Sequence, residues 1–174
     1  MARQLWLLRH ADAEPHGTRE DVLRRLTARG EAQAHAAGAA LQALGVSFEA
    51  IFYSPKARAQ QTAELVLEAL DGEARGQARV HEPLAAGFDA ADALELSRTL
   101  SADGRLLLVG HEPDLSTLVA QLTGGRIDLK KGGVAVVRLE GAGGELLSLL
   151  RPRELAAIGQ AGPVPAGAGI VTLD

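Results

Sequence analysis

Two histidines and two arginines stand where the apolar runs of this sequence break off. Gln4-Leu5-Trp6-Leu7-Leu8 ends on Arg9-His10, and Arg105-Leu106-Leu107-Leu108-Val109-Gly110 runs into His111-Glu112-Pro113. A shorter run, Ala50-Ile51-Phe52-Tyr53, gives way to Ser54-Pro55-Lys56-Ala57-Arg58. The chemistry open to such a group is narrow. Planar guanidinium groups bind phosphate oxygens in pairs, and an arginine in the first turn of a helix adds backbone donors and the positive end of the helix dipole. An imidazole, with a reference pKa near ~6.5, is substantially neutral at pH 7 and can attack phosphorus without a separate base. A second histidine can then stabilise charge on the transferring oxygens. The four residues suit a phosphoryl group, provided the fold brings the three run ends together.

The elements needed to do so are legible. Short apolar runs with almost no charge read as strands covered on both faces of a sheet, and ligands of open α/β sheets bind beyond the carboxyl ends of such strands. Between them lie helical stretches. Residues 26–44 form an Ala-rich amphipathic helix with Thr27 as N-cap and Gly45 as its stop; a second helix covers 56–70, a third 90–100, and a fourth runs from Pro113 to Leu122. Residues 13–25 read as a charged loop with a helical turn near 20–25, residues 71–76 as a polar turn, and 79–82 as a short strand ended by Pro83. Residues 134–140 and 145–150 make a hairpin across Gly141-Ala142-Gly143-Gly144, followed by a short helix over 153–158. The order predicts an α/β fold: a three-layer α/β/α sandwich, its sheet mostly parallel with a C-terminal antiparallel hairpin and no large lid insertion. Residues 1–174 are expected to form one domain, with a Gly-, Pro- and Ala-rich tail from about 160 lying loosely on the surface.

Composition removes whole classes of function. The chain has no cysteine, so disulfides, thiolate metal sites and cysteine nucleophiles are excluded. A net charge of −4 without a basic run or interleaved aromatics argues against a nucleic-acid surface. No stretch approaches the roughly 20 apolar residues of a membrane span, and the N-terminus lacks a signal-peptide pattern, so a cytoplasmic protein is expected.

Other candidates receive plainer roles. Ser54 lacks the Gly-x-Ser-x-Gly surround of a nucleophilic serine and is expected to cap the helix carrying Arg58. Thr62, one turn further on, is a packing or hydrogen-bonding residue. His16, His35 and His81 are given no catalytic part. His111-Glu112-Pro113-Asp114 lacks metal-ligand spacing, so no metal is expected. Lys130-Lys131 reads as a solvated turn, or as a rim that attracts an acidic partner.

Four blocks, in order and spacing, carry a resemblance. Leu8-Arg9-His10-Ala11, Leu26-Thr27-Ala28-Arg29-Gly30-Glu31-Ala32-Gln33-Ala34, Ser54-Pro55-Lys56-Ala57-Arg58-Ala59-Gln60-Gln61-Thr62-Ala63 and Val109-Gly110-His111-Glu112-Pro113-Asp114-Leu115-Ser116 resemble the signature blocks of the histidine phosphatase superfamily, and within it the SixA-type phosphohistidine phosphatases. Ala11 stands where the larger family usually has glycine, and Arg25 where proline is frequent. The resemblance implies that His10 is the phosphorylated nucleophile, that Arg9 and Arg58 bind phosphate, that His111 is a second phosphate-contacting histidine, and that no metal or other cofactor takes part. Larger relatives protonate the departing alcohol with a carboxylic acid near the point occupied by Glu82, which is the candidate general acid here. The short stretch between Glu82 and the strand at Arg105 leaves little chain for a lid, which favours a phosphorylated protein as substrate, such as a histidine phosphotransfer domain. A small phosphomonoester is the alternative substrate, and an inactive phosphohistidine-binding module the alternative of another class.

Overall fold

The computed structural model describes residues 2–70 and 72–163. Its frame is a six-stranded sheet in the order β3-β2-β4-β1-β5-β6. The strands are β1 (Gln4–Arg9), β2 (Ala50–Tyr53), β3 (Ala78–Val80), β4 (Arg105–Gly110), β5 (Val134–Glu140) and β6 (Gly143–Leu150). β1, β2, β3 and β4 pair in parallel, while β5 runs antiparallel to β1 and β6 antiparallel to β5. β4 and β1 lie at the centre, which explains why their sequences are the most apolar of the chain.

Alternation along each strand sends side chains to two cores. Trp6 and Leu8 join Leu107, Val109, Val134 and Val136 on one face, and Leu5 and Leu7 join Leu106, Leu108, Ala135 and Val137 on the other. Helices α1 (Ala28–Ala43), α2 (Ala57–Ala69) and α6 (Pro152–Ala161) cover the first face; α4 (Ala90–Ser97) and α5 (Asp114–Thr123) cover the second. The result is the expected three-layer sandwich, with no large insertion above the strand ends. Each fully buried leucine contributes on the order of 2 kcal/mol of burial free energy, so the strands that carry the site are also its most firmly held parts.

Several boundaries differ from expectation. Residues expected as a polar turn form a short helix, α3 (Gly72–Gln77), because Ala74 is buried in the first core; Asp71, with which the turn was to begin, lies outside the described residues. The third strand ends at Val80, and Glu82 opens a 3-10 turn, Glu82–Ala85, rather than closing the strand. α4 stops at Ser97, three residues short of Leu100. Pro113 caps α5 instead of being its first residue. The tail expected to be loose from about residue 160 is helical to Ala161, since a Cβ at Gly159 would lie 2.9 Å from Ala39 Cβ and so only glycine lets α6 lie this close on α1. The remainder of that tail, 164–174, lies outside the described residues.

α1 is fastened to the loop after β1 at its first turn. Thr27 caps it by accepting from the Gly30 N–H at 3.1 Å, and the Thr27 hydroxyl donates to Asp12 Oδ2 at 2.9 Å. Gly30 faces the Asp12 carbonyl so closely that an added Cβ would sit 1.9 Å from its oxygen. Gly30→Ala is therefore expected to push α1 from the Asp12 loop, lowering stability by about 1–3 kcal/mol as overpacking does, and to reduce activity through the adjoining His10. Urea unfolding checks the first effect, and an unchanged midpoint would show that the loop yields freely.

Candidate active site

The β1–β4 register pairs Arg9 with Gly110, so the next residues, His10 and His111, leave the sheet side by side. The His10 N–H donates to the Gly110 carbonyl at 3.0 Å, and the two rings lie 5.1 Å apart between centroids. β2 ends beside them, where the Ser54 N–H donates to the Val109 carbonyl at 3.0 Å, and the chain turns into α2 with Arg58 in its first turn. Three strand ends thus bring Arg9, His10, Arg58 and His111 to one open cleft of about 500 Å³. Glu82 is exposed on its 3-10 turn and does not line that cleft, although Ala85 and Ala86 of the same turn do.

Hydrogen bonding assigns the state of His10. Its Nδ1 lies 2.8 Å from the Ala11 carbonyl oxygen, which can only accept, so Nδ1 carries the proton. Its Nε2 accepts from Arg58 Nε at 3.3 Å, so the lone pair sits on Nε2 and faces the guanidinium. Burial, reinforced by the charges of Arg58 and Arg9 and only partly opposed by the Ala11 contact, pushes His10 down to about 3.

His111 is held differently. Ser54, 0% exposed, accepts from the Lys56 N–H at 3.3 Å and lies 2.7 Å from His111 Nε2. Its buried hydroxyl proton needs an acceptor, and His111 Nε2 is the one in reach. That leaves the proton of the neutral ring on Nδ1, a buried atom without a hydrogen-bond partner among the described residues. Burial, with the neighbouring His10 and Arg58, pushes His111 down to about 3 as well. The expected capping part of Ser54 is not found: Lys56 is the N-cap of α2, the helix has no side-chain cap, and toward that helix Ser54 reaches only the Lys56 N–H. Its closer contact, with His111, has no sequence signal, because it depends on two strands meeting.

Thr62 fixes the first turn of α2 against the loop after β1: its hydroxyl donates to the Arg58 carbonyl at 2.6 Å and accepts the Ala11 N–H at 3.1 Å. Asp21, at the head of a 3-10 turn in the charged loop, was not singled out from the sequence. Its backbone oxygen accepts from Arg58 Nη1 at 2.7 Å, and its carboxylate meets Arg58 Nη2 at 3.4 Å, Lys56 Nζ at 3.1 Å and Arg24 Nη2 at 2.9 Å. Partial burial alone would raise its pKa, but the hydrogen bonds from Lys56 and Arg24 and the charge of Arg58 hold the carboxyl well below its usual range. A lone aspartate in an aperiodic loop carries no sequence pattern, so only its proximity in space reveals it.

Arg9 Nη1 donates to the Leu129 carbonyl at 2.9 Å, while its Nε is buried without a hydrogen-bond partner among the described residues. Among the described residues, no three His, Asp or Glu side chains are placed to hold a metal ion. No helix among them is long and apolar enough to cross a membrane. Neutral nucleophilic nitrogen, guanidinium donors and an unpartnered ring N–H around one cleft can take up a phosphoryl group and transfer it.

Comparisons with known proteins agree with this geometry. A model of the histidine phosphatase superfamily, branch 1, matches residues 5–89. A protein of Picosynechococcus sp. strain PCC 7002, itself uncharacterized, is 37% identical over 142 residues, covering 78% of this chain and 84% of the relative. The solved structure of the protein histidine phosphatase SixA with tungstate superposes with a TM-score of 0.77 and 26% identity, over 87% of this chain and 99% of that one. A phosphoserine phosphatase of Entamoeba histolytica, in complex with 3-phosphoglyceric acid, shares the fold with a TM-score of 0.66 at 16% identity, over 88% and 99% of the two chains.

The two depressed histidines make stability depend on pH in a stated direction. The folded chain leaves both rings unprotonated down to about pH 3, whereas imidazoles of the unfolded chain take up protons below about 6.5. Within that window the unfolded state binds more protons, so stability falls as pH is lowered, and above about 6.5 the contribution is flat. Urea midpoints between about pH 7 and 4.5 should drop with acidification, and His111→Asn should reduce the slope. A flat profile in the unsubstituted protein would contradict the assigned neutral rings.

Proposed function

The chain belongs to the histidine phosphatase superfamily, and from that premise we propose that it hydrolyses phosphohistidine on a protein through a covalent phosphohistidine at His10. The observation that carries this reading is the fixed tautomer of His10, with Nε2 unprotonated and facing Arg58 at the floor of an anion-binding cleft. In the first step Nε2 attacks phosphorus, forming an N–P bond as the bond from phosphorus to the leaving group breaks. Arg58 and Arg9 take up charge on the phosphoryl oxygens, and the His111 Nδ1–H donates to one of them. A water then attacks phosphorus, the N–P bond of His10 breaks, and inorganic phosphate leaves with His10 neutral again. The Ala11 carbonyl stabilises the positive ring while the intermediate exists.

Two features favour a phosphohistidine over an ester. The cleft has no covering insertion, so a phosphorylated side chain on a protein surface can enter. Its lining carboxylates are also already engaged: Asp21 with three cations, Glu14 with the Arg25 N–H and Arg19, Glu112 with the Ser116 N–H and Asp114 with the Gly87 N–H. An alkoxide needs a proton to depart, whereas an imidazole, with a conjugate acid near ~6.5, leaves with far less help. A small phosphomonoester is the competing substrate, since the same fold serves the Entamoeba phosphoserine phosphatase.

His10→Ala should abolish turnover and acid-labile labelling by a phosphorylated donor, while Arg58→Ala should retain measurable activity after a loss of about 10² to 10³ in rate. Labelling of His10→Ala at the normal level would end the mechanism. Rates on a phosphorylated histidine phosphotransfer domain should exceed those on a panel of metabolite phosphates; the reverse order would move the assignment to a small-molecule phosphatase. Tungstate should inhibit as a phosphate-like anion, and activity should survive EDTA. Glu82→Gln should leave phosphohistidine hydrolysis within about twofold of the unsubstituted rate, because a general acid contributes roughly 10² to 10⁴ only where the leaving group needs one. A tenfold loss on phosphohistidine would show that the leaving group is protonated by Glu82.

A further inference from the structure

A second cleft, of about 540 Å³, opens beside the first and shares Arg9 and Lys131 with it. Six of the 18 cationic residues of this net-negative chain line it: Arg9, Arg29, Lys130, Lys131, Arg151 and Arg153. Asp12 is the one acid in the lining, and it is held by Lys131 Nζ at 3.0 Å. Lys130 pairs with Asp128, and Arg153 Nε lies 3.6 Å from Glu154, whereas neither Arg29 nor Arg151 has a carboxylate within ion-pair distance among the described residues. The concentration is not local in sequence, since the cations come from the end of β1, from α1, from the turn before β5 and from the start of α6, four separate places that converge.

The cleft is also built rather than loose. The Gly132 N–H is shared between the Arg9 and His10 carbonyls at 3.1 and 3.2 Å, and the Gly133 N–H donates to the Lys130 carbonyl at 2.8 Å. Leu129 is fully buried, and Gly132, at φ +73°, adopts the left-handed backbone that the turn requires, packed on Gln33 of α1. The lysine turn is thereby locked to the backbone of the nucleophile itself. The backbone of Lys130 and Lys131 is thus fixed, while the side chains of Arg29, Arg151 and Arg153 stand exposed around it.

We propose that this cleft is the docking surface for an acidic protein segment that flanks the phosphorylated residue, with Arg29, Arg151 and Arg153 reading carboxylates while the phosphoryl group occupies the neighbouring pocket. The proposal rests on the phosphatase reading above and supplies its substrate class. A bare phosphoryl group is already met by Arg9 and Arg58. The further cations extend away from it over a space larger than a phosphate fills, which fits a row of side-chain carboxylates. Complementary charge of this kind acts mainly on the rate of productive encounter and is screened by salt.

Two phosphohistidine peptides of equal length test it, one with glutamates on both flanks of the phosphorylated residue and one with glutamines. At low salt the unsubstituted enzyme should show kcat/KM roughly tenfold or more higher for the glutamate peptide, within the range of electrostatic steering, and the gap should close as salt is raised. Arg29→Glu/Arg151→Glu/Arg153→Glu should erase the preference while leaving p-nitrophenyl phosphate turnover and the melting temperature unchanged. If the triple charge reversal does not fold, the three Arg→Gln changes serve the same purpose and should reduce the gap several-fold. Equal kcat/KM on the two peptides in the unsubstituted enzyme overturns the docking surface alone. Loss on a sugar bisphosphate with the peptides unaffected overturns it too, by making the cleft a small-molecule subsite. Failure to hydrolyse any of these compounds overturns the phosphatase reading instead.

Discussion

Everything at this site depends on keeping one buried imidazole neutral with a chosen nitrogen bare. Burial makes His10 reluctant to hold a proton, and the Ala11 carbonyl decides where the remaining one sits. Neither effect would suffice alone. Desolvation without the carbonyl would leave the two tautomers free to exchange, and the carbonyl without burial would let the ring protonate and lose its lone pair. The fold supplies both by ending a fully covered central strand one residue before the histidine, so that backbone and ring enter the cleft from beneath.

The second requirement is to gather positive charge around that ring without letting it collapse onto His10. Arg58 touches His10 Nε2 only through a long bond at 3.3 Å, while its terminal nitrogens are drawn toward Asp21. Asp21 thereby holds three cations at once and offsets their mutual repulsion.

How much of this was legible in the sequence follows from how each feature arises. The strand ends, the helix carrying Arg58 and the convergence of Arg9, His10, Arg58 and His111 are consequences of apolar runs and their punctuation, and these were readable. Ser54 against His111, Asp21 against Arg58, and the meeting of Arg29, Lys130 and Arg151 are contacts between elements distant in the chain, and no local pattern encodes them. Glu82 is placed otherwise than its strand-end position suggested. Its place near a strand end suggested a role at the cleft, but Val80 closes the strand early and the 3-10 turn directs Ala85 and Ala86, not Glu82, to the lining. α3 and the last turn of α6 were missed because their polar or glycine-bearing sequences are held by neighbours, Ala74 in the core and Gly159 on α1, rather than by their own propensity.

The pairing of Arg9 with Gly110 across the central strands has an evolutionary corollary. Because the two histidines are adjacent rungs of one ladder, their separation is a lattice constant of the sheet and cannot drift by degrees; a one-residue slip would turn an entire strand inside out. The surfaces around them obey no such rule. The charged loop, the 3-10 turn after β3 and the lysine turn before β5 all border the cleft, and they are placed by turn and side-chain hydrogen bonds rather than by the sheet ladder. The architecture therefore sets the separation of His10 and His111 by the sheet and leaves the borders of their cleft to loops.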